Sequence, residues 1–284
     1  MPGPLHPLIT ISDYSEASVA DPDIIGKGIL MNFYDISYKK YFNGSIRYGQ
    51  HHYDFAGGGL SFTAPMQLIA TGGDDDECEG LNLLIHPDFL RGFPLVDRVK
   101  RYGFFSYSAN EALQLSDKEK EIILSLFTNI KDELSQRLDN LSQEIIISQL
   151  ELLLNYSERF YNRQFLTRKA VNSDILTRME YLLNDYFNKE KGLENGLPTV
   201  QYLAEKLNVT PGYLSDLLRN LTGLNTQQHI HEKLIEKAKE YLIFGNLSVA
   251  EIAYQLGFEH PQSFSKIFRK KTNFSPKEYK QSLN

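Results

Sequence analysis

Apolar positions along this chain change their period once, near residue 110. Up to about Tyr107 they come in short runs: Ile29-Leu30-Met31, Ile46-Arg47-Tyr48, Leu60-Ser61-Phe62 and Leu83-Leu84-Ile85. Between them stand turn signals such as Asn43-Gly44, Gly57-Gly58-Gly59 and Gly72-Gly73-Asp74-Asp75. Short runs punctuated in this way predict the strands of a small barrel or sandwich. The spacing then becomes helical. Ser116-Asp117-Lys118-Glu119 has the form of a capping box, and Ile123, Phe127, Ile130, Leu134 and Leu138 follow on one face. A second helix carries Ile146, Leu150, Leu153, Ser157 and Phe160, a seam for another helix. That seam serves either packing on the β-rich region or a homodimer interface. The polar stretch Arg163 to Asn172 has little apolar periodicity and reads as a linker.

Beyond the linker, Asn172 or Ser173 caps a helix with Ile175, Leu176, Met179, Leu182, Leu183 and Tyr186 on one side, which Gly192 to Pro198 breaks. A pattern then occurs twice. Ala204, Leu207, Val209 and Leu214 are answered by Ala253, Leu256, Phe258 and Phe264, with 49 positions separating Ala204 from Ala253 and Leu207 from Leu256. Each unit sets a small and an apolar residue three apart on one helix, then a tight turn, then a helix starting near a proline. That is the form of a helix-turn-helix, whose second helix enters a DNA major groove. A helix of about Gln227 to Phe244, a stop at Gly245-Asn246 and a short helix after Pro276 complete an expected seven. At ~1.5 Å per residue the long helix holds the two units about one DNA turn apart.

The second unit offers the clearer chemistry. Ser248-Val249-Ala250-Glu251 is a capping box, Gly257 permits a left-handed turn and Pro261 suits the first position of the recognition helix. Phe264, Ile267 and Phe268 form its buried side. Gln262, Ser263 and Lys266 lie opposite, followed by Arg269, Lys270 and Lys271. Gln pairs with adenine, Ser donates or accepts, and Lys reaches guanine or phosphate. In the first unit Thr210-Pro211 opens the helix, Leu214, Leu217 and Leu218 face inward, and Gly212, Tyr213, Ser215, Asp216, Arg219 and Asn220 face outward. Asp216 is awkward beside phosphates, and Arg219 suits a phosphate better than a base, so this helix carries less sequence information.

Composition supports the division. The 284 residues carry a net charge of −6, yet Pro198 to Asn284 holds 11 Lys and Arg against 8 Asp and Glu, net +3, leaving −9 for the rest. A mildly basic end on an acidic body fits a DNA-contacting module. The single cysteine, Cys78, excludes an internal disulfide or a cysteine-cluster zinc site. The acidic stretch Asp74 to Glu79 lacks the ligand spacing of a calcium loop and reads as a solvated hairpin tip. With no secretory signal and no bilayer-length apolar run, the expected location is cytoplasmic, without a membrane partner.

The stretches Ile252 to Phe258, Phe264 to Lys270 and Phe274 to Tyr279 together resemble the signature of AraC-type transcriptional regulators. The resemblance places the base-contacting positions on Pro261, Gln262, Ser263 and Lys266 in the second recognition helix, and on Gly212, Ser215 and Asp216 in the first. Two residues depart from the pattern: Asn273 stands where glycine is usual, and Asp216 where a basic residue is common. Tyr53-Asp54-Phe55, Gly59 to Pro65 and Ile85 to Leu90 are similar to cupin-like sensory domains of such regulators. This implies an α+β chain in four parts: a cupin-like β-barrel over 1–110, a helical dimerisation segment over 111–165, a linker over 166–172, and a double helix-turn-helix domain over 173–284. Double-stranded DNA, a second copy, a small effector in the barrel and RNA polymerase are the implied partners. The adjacent His51 and His52, and Ala70 where a histidine would fall, suggest a barrel without metal or other cofactor. The 17 Tyr and 17 Phe could line a pocket or simply form core. An N-terminal domain that binds a protein instead of an effector stays open. A cupin enzyme would need a metal triad that the sequence does not offer. A DNA-repair methyl acceptor would need a reactive thiol, and the acidic neighbours of Cys78 disfavour one.

Overall fold

A computed structural model describes residues 6–14, 28–42, 45–48, 51–54, 58–70, 78–108, 111–136, 139, 141–167, 169–244 and 247–282. The chain divides into two compact units, Met1–Thr167 and Arg168–Asn284.

The first unit opens with strands β1 (Ile9–Asp13), β2 (Gly28–Leu30), β3 (Tyr34–Phe42) and β4 (Ser45–Tyr48). Strands β5 (His51–Asp54), β6 (Gly59–Thr63), β7 (Leu68–Ala70) and β8 (Cys78–Ile85) follow. They form two antiparallel four-stranded sheets, ordered β1-β8-β3-β6 and β2-β7-β4-β5. Among the described residues no ladder joins the two sheets, so closure into a barrel is not shown. All four apolar runs singled out in the sequence contribute to strands. Cys78 opens β8 instead of standing in a loop, while the acidic residues 74–77 and the turn signals at 43–44 and 72–75 lie outside the described residues.

Alternation along β3 sorts its side chains onto two faces. Ile36 and Tyr38 join Ile9, Ile11, Leu60, Phe62, Leu83 and Ile85 in the apolar core. Phe62 meets Phe104 and Phe105 at centroid distances of 4.4 and 5.5 Å. The β-rich region ends at Ile85, not near Tyr107. Pro87, Pro94 and Gly92 interrupt any strand, and the chain packs instead as 3-10 turns around helix α1 (Leu95–Arg98).

Helices α2 (Asp117–Ser135) and α3 (Ser142–Thr167) follow. Ser116 and Glu119 form the expected capping box on α2. Its inward stripe Ile123, Phe127, Ile130 and Leu134 is buried, while Leu138 lies outside the described residues. On α3 the seam Ile146, Leu150, Leu153, Ser157 and Phe160 is buried within the unit, where α2 and α3 pack together. That stripe is therefore spent on intramolecular packing.

Residues 166–167 and 169–172 of the expected linker are helical. Residues 163–172 contain no glycine or proline to break a helix, so α3 runs to Thr167 and α4 (Lys169–Asn188) starts ahead of the expected Asn172 or Ser173 cap. The second unit continues with a short α5 (Gly192–Asn195), inside the segment expected only to break α4. Helices α6 (Val200–Leu207), α7 (Pro211–Thr222) and α8 (Thr226–Phe244) follow, then α9 (Val249–Gln255), α10 (Pro261–Thr272) and α11 (Pro276–Gln281). The 19 residues of α8 span about 28 Å.

Candidate nucleic-acid interface

The two repeats fold alike because equivalent positions meet equivalent demands. Thr199 caps α6 and Ser248, 49 positions on, caps α9, each accepting from a backbone N–H of its own first turn. Ala204 and Ala253 are fully buried, which lets the following helices cross closely. In each turn a backbone N–H closes on the alanine carbonyl: Val209 onto Ala204 at 3.1 Å, Phe258 onto Ala253 at 2.9 Å. Asn208 (φ +56°) and Gly257 (φ +97°) take the left-handed step between them. Asn273, where glycine is usual, also holds positive φ (+65°) as the C-cap of α10.

The second turn is additionally clamped. Gly192 and Gly196 bring the connector between α4 and α6 against the backbone of Gln255 to Gly257. Tyr186 Oη donates to the Gly196 carbonyl at 2.9 Å, and Gln255 Nε2 donates to Glu190 Oε1 at 3.2 Å. The orientation of α10 is thus fixed from the N-terminal side of its own unit.

Along α10, Phe264 and Phe268 are fully buried and Ile267, expected beside them, is half-buried. Pro261 occupies the first helical position. Gln262, Ser263, Lys266, Arg269 and Lys270 are exposed on the outward side. Neither Lys266 nor the side chains of Gln262 and Ser263 have a hydrogen-bond or ion-pair partner among the described residues. This face is open to donate and accept.

The face of α7 is engaged with its own unit. Tyr213, expected to point outward, is 6% exposed. It precedes Leu217 by one helical turn and so shares its buried side. Gly212 is half-buried. Ser215 Oγ lies 3.1 Å from Thr226 Oγ1. Asp216 pairs with Arg219 at 2.6 Å, and Asn220 Nδ2 donates to the Asp216 carbonyl at 3.0 Å. The awkward carboxylate of the sequence is thereby neutralised by the cation next to it.

Sequence reasoning missed a buried polar face in the first unit. Asp35, Ser37, Lys39, Ser61, Thr63 and Asn82 lie on β3, β6 and β8 with the pleat opposite to the apolar core, and all are buried. Asp35 accepts from Ser37 Oγ at 2.7 Å and from Asn82 Nδ2 at 2.6 Å. Burial pushes the Asp35 carboxyl up, against those hydrogen bonds and the Lys39 charge. Among the described residues no group of three His, Cys, Asp or Glu could hold a metal ion. No described helix is long and apolar enough to cross a membrane. His51 and His52 sit in register with Tyr48 and Arg47 on the β4–β5 ladder.

Comparison with known proteins places the second unit. Residues 203–282 match a family profile described as a helix-turn-helix domain. An HTH-type transcriptional regulator in the cgkA 5′ region of Pseudoalteromonas carrageenovora is 31% identical over 116 residues, 41% of this chain and 64% of that one. The HTH-type transcriptional activator RhaS of Salmonella paratyphi B is 31% identical over 141 residues, 49% of this chain and 46% of RhaS. This chain thus spans less than two thirds of the length of either relative. The solved C-terminal domain of AraT, a response regulator from Geobacillus stearothermophilus, is 29% identical, with 38% of this chain and 84% of that one covered at a TM-score of 0.34.

Proposed function

We propose that this chain, whose C-terminal region is an AraC-type helix-turn-helix domain, is a sequence-specific regulator of transcription that acts on double-stranded DNA beside RNA polymerase. The observation that carries this reading is the open polar face of Gln262, Ser263 and Lys266 on a helix held rigidly by its unit. Selection of binding sites from random duplexes, followed by footprinting, tests it. The expected footprint covers two major grooves per protomer, roughly one turn apart. Recovery of no preferred sequence would remove the assignment.

The first unit is read as a cupin-like sensory domain. Its support is the pair of antiparallel sheets and the buried polar face of β3, β6 and β8, which suits a small polar effector. A ligand that binds only the folded form raises the unfolding midpoint, so thermal shift against a metabolite panel identifies it. A domain that binds a protein instead leaves every midpoint unchanged.

A homodimer is proposed on a different stripe of α3 from the one expected. Ile145, Leu152 and Leu166 are 43%, 44% and 49% exposed and stand seven and fourteen residues apart, the spacing of a coiled-coil seam. Leu152→Glu is expected to weaken self-association at least about tenfold without unfolding the unit, since the position is solvated in the single chain. Sedimentation velocity across a concentration series reads the shift. An unchanged dimer in Leu152→Glu moves the interface elsewhere.

A further inference from the structure

We propose that the second unit carries a binding groove of its own, which takes a short apolar peptide, about three residues long, by its free ends. The groove lies between α8, the C-terminal end of α10 and α11, and encloses about 480 Å³. That volume is within the range of small-ligand sites. The groove shares no residue with the buried polar face of the first unit or with Gln262, Ser263 and Lys266.

Three helices build it. Tyr279 of α11 packs against Phe268, a fully buried residue of α10, with ring centroids 5.5 Å apart. Lys239 of α8 reaches the same ring, its Nζ 5.6 Å from the Tyr279 centroid. Ile235, buried, and Ile243, 46% exposed, complete an apolar floor along α8. A ligand that covers this floor removes apolar surface from water, which favours an apolar side chain there.

The charges on the walls select the rest of the ligand. Glu236 and Glu240 are balanced by Lys233 at 2.9 Å and Lys237 at 2.7 Å. Glu232 and Lys239 on α8, and Lys271 at the end of α10, line the groove and make no ion pair among the described residues. A ligand of one sign meets an unpaired group of its own sign, whereas a zwitterion satisfies both. Glu232 and Lys239 stand seven residues apart, nearly two full turns. They therefore face the same way, about 10 Å apart along the helix. An extended tripeptide has that length, at ~3.3–3.6 Å per residue. Its ammonium lies at Glu232, its carboxylate at Lys239 and its central side chain on Ile235, which falls between them. Lys271 donates to a peptide carbonyl from the α10 wall. An occupied groove thus braces the last turn of the second recognition helix against α8 and α11.

The full chain is titrated at low ionic strength with alanyl-leucyl-alanine, its C-terminal amide, its N-acetyl form and free leucine, followed by ligand-observed NMR. Saturable binding of the free tripeptide is expected, with either blocked form weaker by roughly two- to fivefold, the range of an exposed ion pair. Free leucine, too short to span the two charges, binds more weakly than the tripeptide. Glu232→Gln removes the preference for a free amine and keeps that for a free carboxylate. Lys239→Met does the reverse, its stem still covering Tyr279. Retention of the opposite preference shows that each variant is folded. A tripeptide that does not saturate, blocked forms that bind as well as the free one, or preferences that survive in both variants overturn the proposal.

Discussion

Gly257→Ala is expected to lower the stability of the C-terminal unit by about 2–6 kcal/mol and to abolish DNA binding under ordinary conditions. Two effects add. At φ +97° the position disfavours any residue with a side chain, a strain of about 1–3 kcal/mol. A Cβ placed there would also stand 2.4 Å from both the carbonyl carbon and the carbonyl oxygen of Gly196, and 2.9 Å from the Leu197 nitrogen. All three are backbone atoms, which cannot swing aside as a side-chain tip would, so overpacking contributes a further ~1–3 kcal/mol. Gly196→Ala is the control. Its φ is +74°, but its Cβ would meet only the Gly257 carbonyl oxygen at 3.8 Å, so strain alone remains. Denaturant midpoints by circular dichroism should rank unaltered protein, Gly196→Ala and Gly257→Ala in falling order. Equal midpoints for the two variants would mean that the connector does not clamp the turn.

Much of the second unit could be read from its sequence because its special positions have single physical causes. A cap needs a short oxygen-bearing side chain, as at Ser248 and Thr210. A close crossing needs alanine, as at 204 and 253. A left-handed step needs Gly or Asn, as at 257, 208 and 273. Errors arose where periodicity has more than one solution. Tyr213 looks polar enough to face out, yet it lies one turn before Leu217 and is drawn into the core. The α3 seam has the same spacing whether its partner is α2 or a second copy, and only packing decides.

The first unit was less legible because its most telling strand breaks the usual code. In β3, Asp35, Ser37 and Lys39 alternate with Ile36 and Tyr38 as on a solvated strand, but both faces are buried. A hydrophobic–polar pattern records which side chains differ, not whether water lies beyond them. The clamp on Gly257 was hidden for a related reason. Gly192 and Gly196 read as helix breakers, and nothing local reveals that their bareness serves a backbone some sixty residues away.

On the recognition face, Gln262→Ala and Lys266→Ala are each expected to weaken binding to a selected site by about 1–3 kcal/mol, roughly 5- to 150-fold. Both side chains are exposed and unengaged, so unfolding midpoints should stay within ~0.5 kcal/mol of the parent. Affinity loss alone does not separate a base reader from a phosphate contact, but sequence dependence does. A base reader loses discrimination at one position of the site and little affinity for random duplex. A phosphate contact loses both equally and flattens the salt dependence. Gln262→Ala and Lys266→Ala should behave in the first way, Arg269→Ala in the second. The first helix predicts the opposite sign. Asp216→Ala frees Arg219 from its 2.6 Å pair and removes a carboxylate facing the duplex, so binding to any sequence should tighten and its salt dependence steepen. If Asp216→Ala instead loses preference at a single base pair, that carboxylate reads a base, and both helices share in recognition.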